Sequence, residues 1–167
     1  MNNEKFNNNM FKLIDICEPN SDKNIIVSGL SIKMAFAMLL NGAEGKSEEE
    51  LINFLGKNRE ELNEETKRIL SECGETLRLA DAFWIAAPNQ AAENYKQIIK
   101  EYQNAEIVVD DFSSSETVEK INNWVFNNTN GLINSVVSED ILRDALSILI
   151  NTLLVLSSGM ILSIWVR

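Results

Sequence analysis

Few side chains in this sequence could carry chemistry, and the most informative type is missing. The 167 residues contain no histidine. That removes serine or cysteine triads built on a histidine base, most zinc sites, and the usual proton carrier near neutral pH. Cys17 and Cys73 follow no metal-ligand or redox spacing and read as buried free thiols. Asp110 and Asp111 could suggest a metal or acid–base pair. Neighbouring residues on a strand point to opposite faces, so these two do not share a site. Asn127-Asn128-Thr129 is a glycosylation sequon that reads as chance in an Asn-rich chain without a secretory signal. Nothing assembles a nucleophile, a base and an oxyanion site. An enzyme is therefore the least expected class, and no metal or cofactor is expected.

Composition narrows the field further. Apolar residues make up 45% and charged residues 24%, as in an ordinary globular domain. The length fits one domain. Lys and Arg number 15 against 25 Asp and Glu, a formal net charge of −10. No basic stripe exists to displace counterions from phosphates, so no nucleic-acid partner is expected.

The elements that would position any site are legible from periodicity. Phe6, Met10, Leu13, Ile14 and Cys17 recur at helical spacing and predict a first helix over residues 3–17. Pro19 lies in a turn over residues 18–22. Ile25 to Val27 suit a short buried strand. Ile32, Ala35, Phe36, Met38, Leu39 and Leu40 then cover nearly every side of a helix, which must lie inside a large core. Asn41-Gly42 should end it with a left-handed cap. Ser47 to Glu50 reads as a capping box for a helix that Gly56 stops.

Residues 58–73 predict an acidic helix with Leu62, Thr66, Ile69, Leu70 and Cys73 inward and a solvated outer face. Residues 76–86 predict a strand buried on one side and then on both. A polar helix over 89–101 and a strand over 105–109 follow. Ser113-x-x-Glu116 reads as a capping box for a helix over 113–128, with Val118, Ile121, Trp124 and Val125 inward. Asn130-Gly131 is a turn, and Leu132 to Val137 form a short apolar segment.

From Ala145 to Val166 no residue is charged. The length suffices for a membrane span, residues 145–166 acting as a tail anchor. Ser147, Asn151, Thr152, Ser157, Ser158 and Ser163 argue instead for a long buried strand followed by something irregular.

Taken together and in order, several segments resemble the serpin family. NIIVSGLSIKMAFAMLLNGAEGKSEEEL is similar to its short strand, Ser-Pro-Leu-Ser-Ile, buried helix, glycine turn and following helix start. LRLADAFWIA, YQNAEIVVDDF and EKINNWVFNNTNGLINSVV resemble its next strand, the segment after it, and a later helix. SILINTLL resembles the start of its long central strand. Gly29 stands where the pattern has proline, and Asp81 where it has asparagine. The likeness covers residues 6–154 and fails beyond Leu154, which suggests a truncation or frameshift there.

The resemblance implies an α+β fold, the N-terminal half of a serpin: helices on part of a large central sheet, incomplete. Residues 1–154 would be the serpin-like region and 155–167 an apolar tail departing from the pattern. It implies a partner that is a serine or cysteine protease. Such a protease attacks an exposed reactive-centre loop and is itself acylated as the scissile peptide bond breaks, and the cleaved loop then inserts into the central sheet as a new strand. That loop belongs to the C-terminal half, so the reactive centre is expected to be absent here and inhibition is not expected of these residues alone. Ser28, Ser31 and Asn151 match polar residues that sit beneath the insertion gap, and Ser28 or Ser31 could equally cap the buried helix. Exposed strand edges and the apolar terminus imply self-association or aggregation. The alternatives are the tail-anchored protein and a module that pairs its strand edges with another chain. The compartment stays open, since members of the family occur outside and inside cells.

Overall fold

The computed structural model describes residues 2–17, 27–74, 76–157 and 160–166, with the side chains of residues 2, 3, 157 and 160–166 left aside. The turn expected at residues 18–22 and most of the strand expected at Ile25–Val27 lie outside the described residues. Three helices come first. α1 (Asn2–Cys17) is an amphipathic helix, α2 (Gly29–Gly42) is the apolar one, and α3 (Gly45–Leu55) follows a two-residue break. Then come α4 (Arg59–Glu72), strand β1 (Leu77–Ala86), α5 (Glu93–Gln103) and β2 (Glu106–Asp110). α6 (Ser115–Asn128), the five-residue α7 (Glu139–Arg143), β3 (Ser147–Ser157) and β4 (Met160–Val166) complete the order.

The strands form one sheet in the order β2-β1-β3-β4. β1 and β2 are parallel, and α5 lies in the crossover that such a pair requires. β1 and β3 are antiparallel over nine residue pairs, from Leu77 opposite Val155 to Ile85 opposite Ser147. β4 runs antiparallel along the far side of β3, with Asn151 opposite Val166 and Ser157 opposite Met160.

Helices cover both faces. On one, α6, α7 and the segment before α7 pack Ile121, Val125, Val136, Val137 and Leu142 onto Ala82, Trp84, Ile148 and Ile150. On the other, α2 and α5 bring Met38, Ile99 and Tyr95 onto Phe83, Ile107 and Leu149. Outside that layer α1, α3 and α4 pack on the back of α2 through Phe6, Ile32, Ala37, Leu40, Leu55 and Leu62. α2 is therefore covered on two sides, which explains its uniformly apolar sequence. Met34, Met38 and Leu40 are fully buried, each worth about 1.5–3 kcal/mol of transfer free energy. The cover is not complete: Leu39 remains 42% exposed.

Several local expectations change. Gly42 belongs to α2, whose cap is Ala43 in extended conformation, so no left-handed turn ends it. α3 begins at Gly45, with Glu44 as its N-cap and no side-chain cap; Ser47 already lies inside the helix. The reciprocal capping box stands at α4 instead. There the Asn58 side chain accepts from the Glu61 N–H at 2.9 Å, and the Asn58 N–H donates to Glu61 Oε2 at 3.0 Å. α6 is capped by Ser114, one residue later than expected, because Ser113 instead donates its hydroxyl to Asp111 Oδ1. α5 begins at Glu93 because Ala86 to Asn89 form a turn closed by Asn89 N–H donating to the Ala86 carbonyl.

Cys17 is exposed and Cys73 only partly buried, so neither is the buried thiol expected. Phe6, Met10 and Leu13 dock α1, and Cys17 falls beyond that contact at the helix end. The uncharged run from Ala145 to Val166 contains strands β3 and β4 rather than a spanning helix. Its β-branched residues Ile148, Ile150, Thr152 and Val155 favour extended backbone, and the ladder to β1 satisfies their polar groups. Among the described residues no helix is long and apolar enough to cross a membrane.

Candidate functional site: a polar seam beneath the central sheet

The polar residues singled out from the sequence lie on two elements, Ser28 and Ser31 at the start of α2 and Asn151 in β3. Ser28 precedes α2 in extended conformation, and its hydroxyl accepts from the Ser31 N–H at 3.1 Å, the geometry of an N-cap. Ser31 lies one turn in and is fully buried, and its hydroxyl meets no partner among the described residues. Asn151 sits in the middle of β3, also fully buried. α2 packs on β3, yet no hydrogen bond joins Ser28 or Ser31 to Asn151 among the described residues.

Asn151 instead finds Asp81. The two stand directly opposite each other in the β1–β3 ladder. The Asn151 amide donates to Asp81 Oδ1 at 2.9 Å. Asp81 is 2% exposed, and burial pushes its carboxyl up to about 7 against the lesser, opposing pull of the Asn151 amide. Asp81 Oδ2 and Asn151 Oδ1 have no donor among the described residues.

Asp81 stands out in the sequence only as a departure from the family pattern. Its pairing depends on the β1–β3 register, a contact across 70 residues that strand periodicity alone does not reveal. The signal available was the one carboxylate of β1 and the one amide of β3.

The other candidates disperse. Asp110 pairs with Lys120 at 2.9 Å, and that hydrogen bond holds its carboxyl below the usual range. Asp111 is exposed and accepts from the Ser113 hydroxyl and N–H, which lowers it likewise. These are the local caps of a loop and a helix start. Among the described residues no three His, Cys, Asp or Glu side chains gather in a metal-binding group.

One apolar cleft of about 640 Å3 opens beside the C-terminal end of α2. Leu39, Leu51, Phe83, Ile85, Tyr95 and Leu146 line it. Leu146 is 75% exposed. Tyr95 donates its hydroxyl to the Met38 carbonyl at 3.3 Å, and burial pushes that phenol up to about 12, so it stays neutral. The cleft offers area and shape, with no charged group to orient a reactant.

This is a sheet-and-helix scaffold with a polar seam at its centre, and comparison gives the class a name. The family model described as Serpin (serine protease inhibitor) matches residues 1–157. The chain belongs to the serpin family. Human neuroserpin is 34% identical over 126 residues, which are 70% of this chain and 31% of neuroserpin. Antichymotrypsin-2 of Bombyx mori is 27% identical over 158 residues, 90% of this chain and 42% of that protein. Among solved structures, the thermophilic serpin tengpin in the latent state superposes with a TM-score of 0.79 at 27% identity, covering 92% of this chain and 42% of that one. A cleaved Serpin 42Da superposes at 0.78 and 25% identity, covering 90% and 42%. The chain thus spans less than half the length of these relatives.

Proposed function

We propose that these 167 residues supply the N-terminal body of a serpin, the part that receives and supports a reactive-centre loop rather than the part that presents it. The observation carrying this reading is the extent of the match. It runs through residues 1–157 of this chain but covers only 42% of the aligned tengpin structure. On this reading residues 1–154 are the family body and residues 155–167 a tail outside its pattern. The whole protein's partner is a serine or cysteine protease, captured by acylation and loop insertion, and these residues alone are not inhibitory. The polar seam of Ser28, Ser31 and Asn151 then lies under the strands that must part to admit the loop.

The test is direct. The purified chain is mixed with trypsin-like, chymotrypsin-like and papain-like proteases, and the mixtures are resolved on denaturing gels. The reading predicts no SDS-stable complex and no loss of protease activity. A stable covalent complex with any of them overturns it.

A second reading, a strand-pairing module, rests on the outer strands of the sheet, β2 and β4, each of which pairs on one side only among the described residues. Co-expression with the C-terminal portion of a serpin should then yield a co-purifying complex, and separate elution of the two chains counts against it. The open apolar cleft around Leu39 and Leu146 supports self-association of the folded chain. Sedimentation should show a mass that rises with concentration, and a monomer throughout removes this part.

A further inference from the structure

We propose that Asp81 and Asn151 form a proton-operated latch across the β1–β3 seam: with Asp81 neutral they exchange two hydrogen bonds, and with Asp81 ionised they keep one and bury a charge. The argument is a count of donors and acceptors. The Asn151 amide donates to Asp81 Oδ1. What remains unsatisfied is one oxygen on each partner, Asp81 Oδ2 and Asn151 Oδ1. Both are acceptors, and they belong to side chains directly opposite each other in the ladder. The pair is short of a single hydrogen. A proton taken from solvent onto Asp81 Oδ2 forms one O–H bond, discharges the carboxylate, and supplies the donor that Asn151 Oδ1 lacks.

Among the described residues no other group is placed to neutralise Asp81. On α2 the lone cation, Lys33, pairs with Glu65. On α5 Lys96 pairs with Glu93, Glu101 pairs with Lys67, Lys100 is exposed, and Tyr95 bonds the Met38 carbonyl. Tyr102 lies under the Lys67 ammonium. On β2 Glu106 is exposed and Asp110 holds Lys120. Arg78 of β1 bonds Asn130, and β3 and β4 contain no titratable residue. Burial and the Asn151 amide are accordingly the causes acting on this carboxyl, and burial is the larger.

The sign follows. Asp81 binds its proton more tightly in the folded chain than in the unfolded one, so the stability it confers is complete below about pH 3.8 and is lost as pH rises through about 7. Above that the loss levels off. Carboxylates held low by lysines act in the opposite direction, at acid pH.

Equilibrium unfolding in urea, followed from about pH 4.5 to 8.5 on the full chain, tests the latch. Asp81→Asn supplies a permanent amide donor. The folding constant of the wild type should fall across this range by about two to three hundredfold relative to Asp81→Asn. The variant should be the more stable of the two at about pH 8. An independent readout is the infrared carbonyl band of a protonated carboxyl, present in the wild type at about pH 5.5 and missing from Asp81→Asn. Parallel pH profiles, a less stable or unfolded Asp81→Asn at alkaline pH, or no difference band overturns the proposal.

Discussion

Two buried side-chain pairs, one between helices and one between strands, differ by a hydrogen. Asn41 of α2 and Asn63 of α4 exchange amide hydrogens at 2.8 and 3.0 Å. Asn41 also donates to the Ala37 carbonyl. Asp81 and Asn151 lie at least as deep and share a single bond. Two amides always bring as many donors as the reciprocal contact needs. A carboxylate facing an amide does not, until it is protonated. The helical pair is therefore a fixed joint, and the strand pair a joint whose strength depends on pH. The family pattern has asparagine where this chain has Asp81, so the two joints would be chemically alike in a sequence that follows the pattern.

The comparison can be broken from either side. The largest effect is expected from Asn151→Ala, which strands the Asp81 carboxylate without a donor. Removing one partner of a buried charge costs about 3–5 kcal/mol. That loss should appear at alkaline pH and shrink to about 1–3 kcal/mol once Asp81 is neutral. Urea midpoints on the two sides of the titration measure it. Asn41→Ala leaves the Asn63 amide unpaired in a neutral setting and should cost about 1–3 kcal/mol. Between weakly acid and weakly alkaline pH that cost should not change, and a pH-dependent loss would erase the contrast.

The smallest effect sharpens the sign. Glu65 lies between Lys33 and Lys57 at 3.3 and 2.9 Å. Burial pushes its carboxyl up, but the Lys57 hydrogen bond and the two cationic charges together outweigh it and hold it below its usual range. A carboxyl held low contributes stability above its unfolded value, and that contribution is lost as pH falls through its folded value. Glu65→Gln should cost about 1 kcal/mol or less at neutral pH and flatten the acid limb of the stability profile. An unchanged acid limb would show that the two lysines do not act on it.

How much of this could be read from the residues depends on the range of each interaction. Local chemistry was legible. The all-round apolar α2, the α6 stripe of Val118, Ile121, Trp124 and Val125, and the stop at Gly56 follow from neighbours within a few positions, whereas the left-handed cap expected at Asn41-Gly42 does not form. Competition between nearby caps was harder to read. Ser113 and Ser114 are both good caps, and the choice turned on Asp111 capturing the Ser113 hydroxyl. α7 was missed because five residues span too few turns to show a period. Its approach is held by Asn122, whose carboxamide oxygen accepts from the Val136 and Val137 N–H groups at 2.8 and 3.1 Å. Exposure was missed at Cys17 because helical spacing alone does not show where a neighbouring helix ends. The seam was the least legible part. Asn151 came from family likeness, and its partner Asp81 emerges only when two strands far apart in sequence come into register.

The proton on Asp81 can be observed without perturbing the fold. The chain is labelled with carbon-13 at the aspartate carboxyls, the Asp81 signal is assigned by its loss in Asp81→Asn, and its chemical shift is followed with pH. The account predicts a titration centred at about 7 for this one carboxyl. A midpoint near the ordinary value of 3.8 would contradict it, and so would a carboxylate shift throughout the titration.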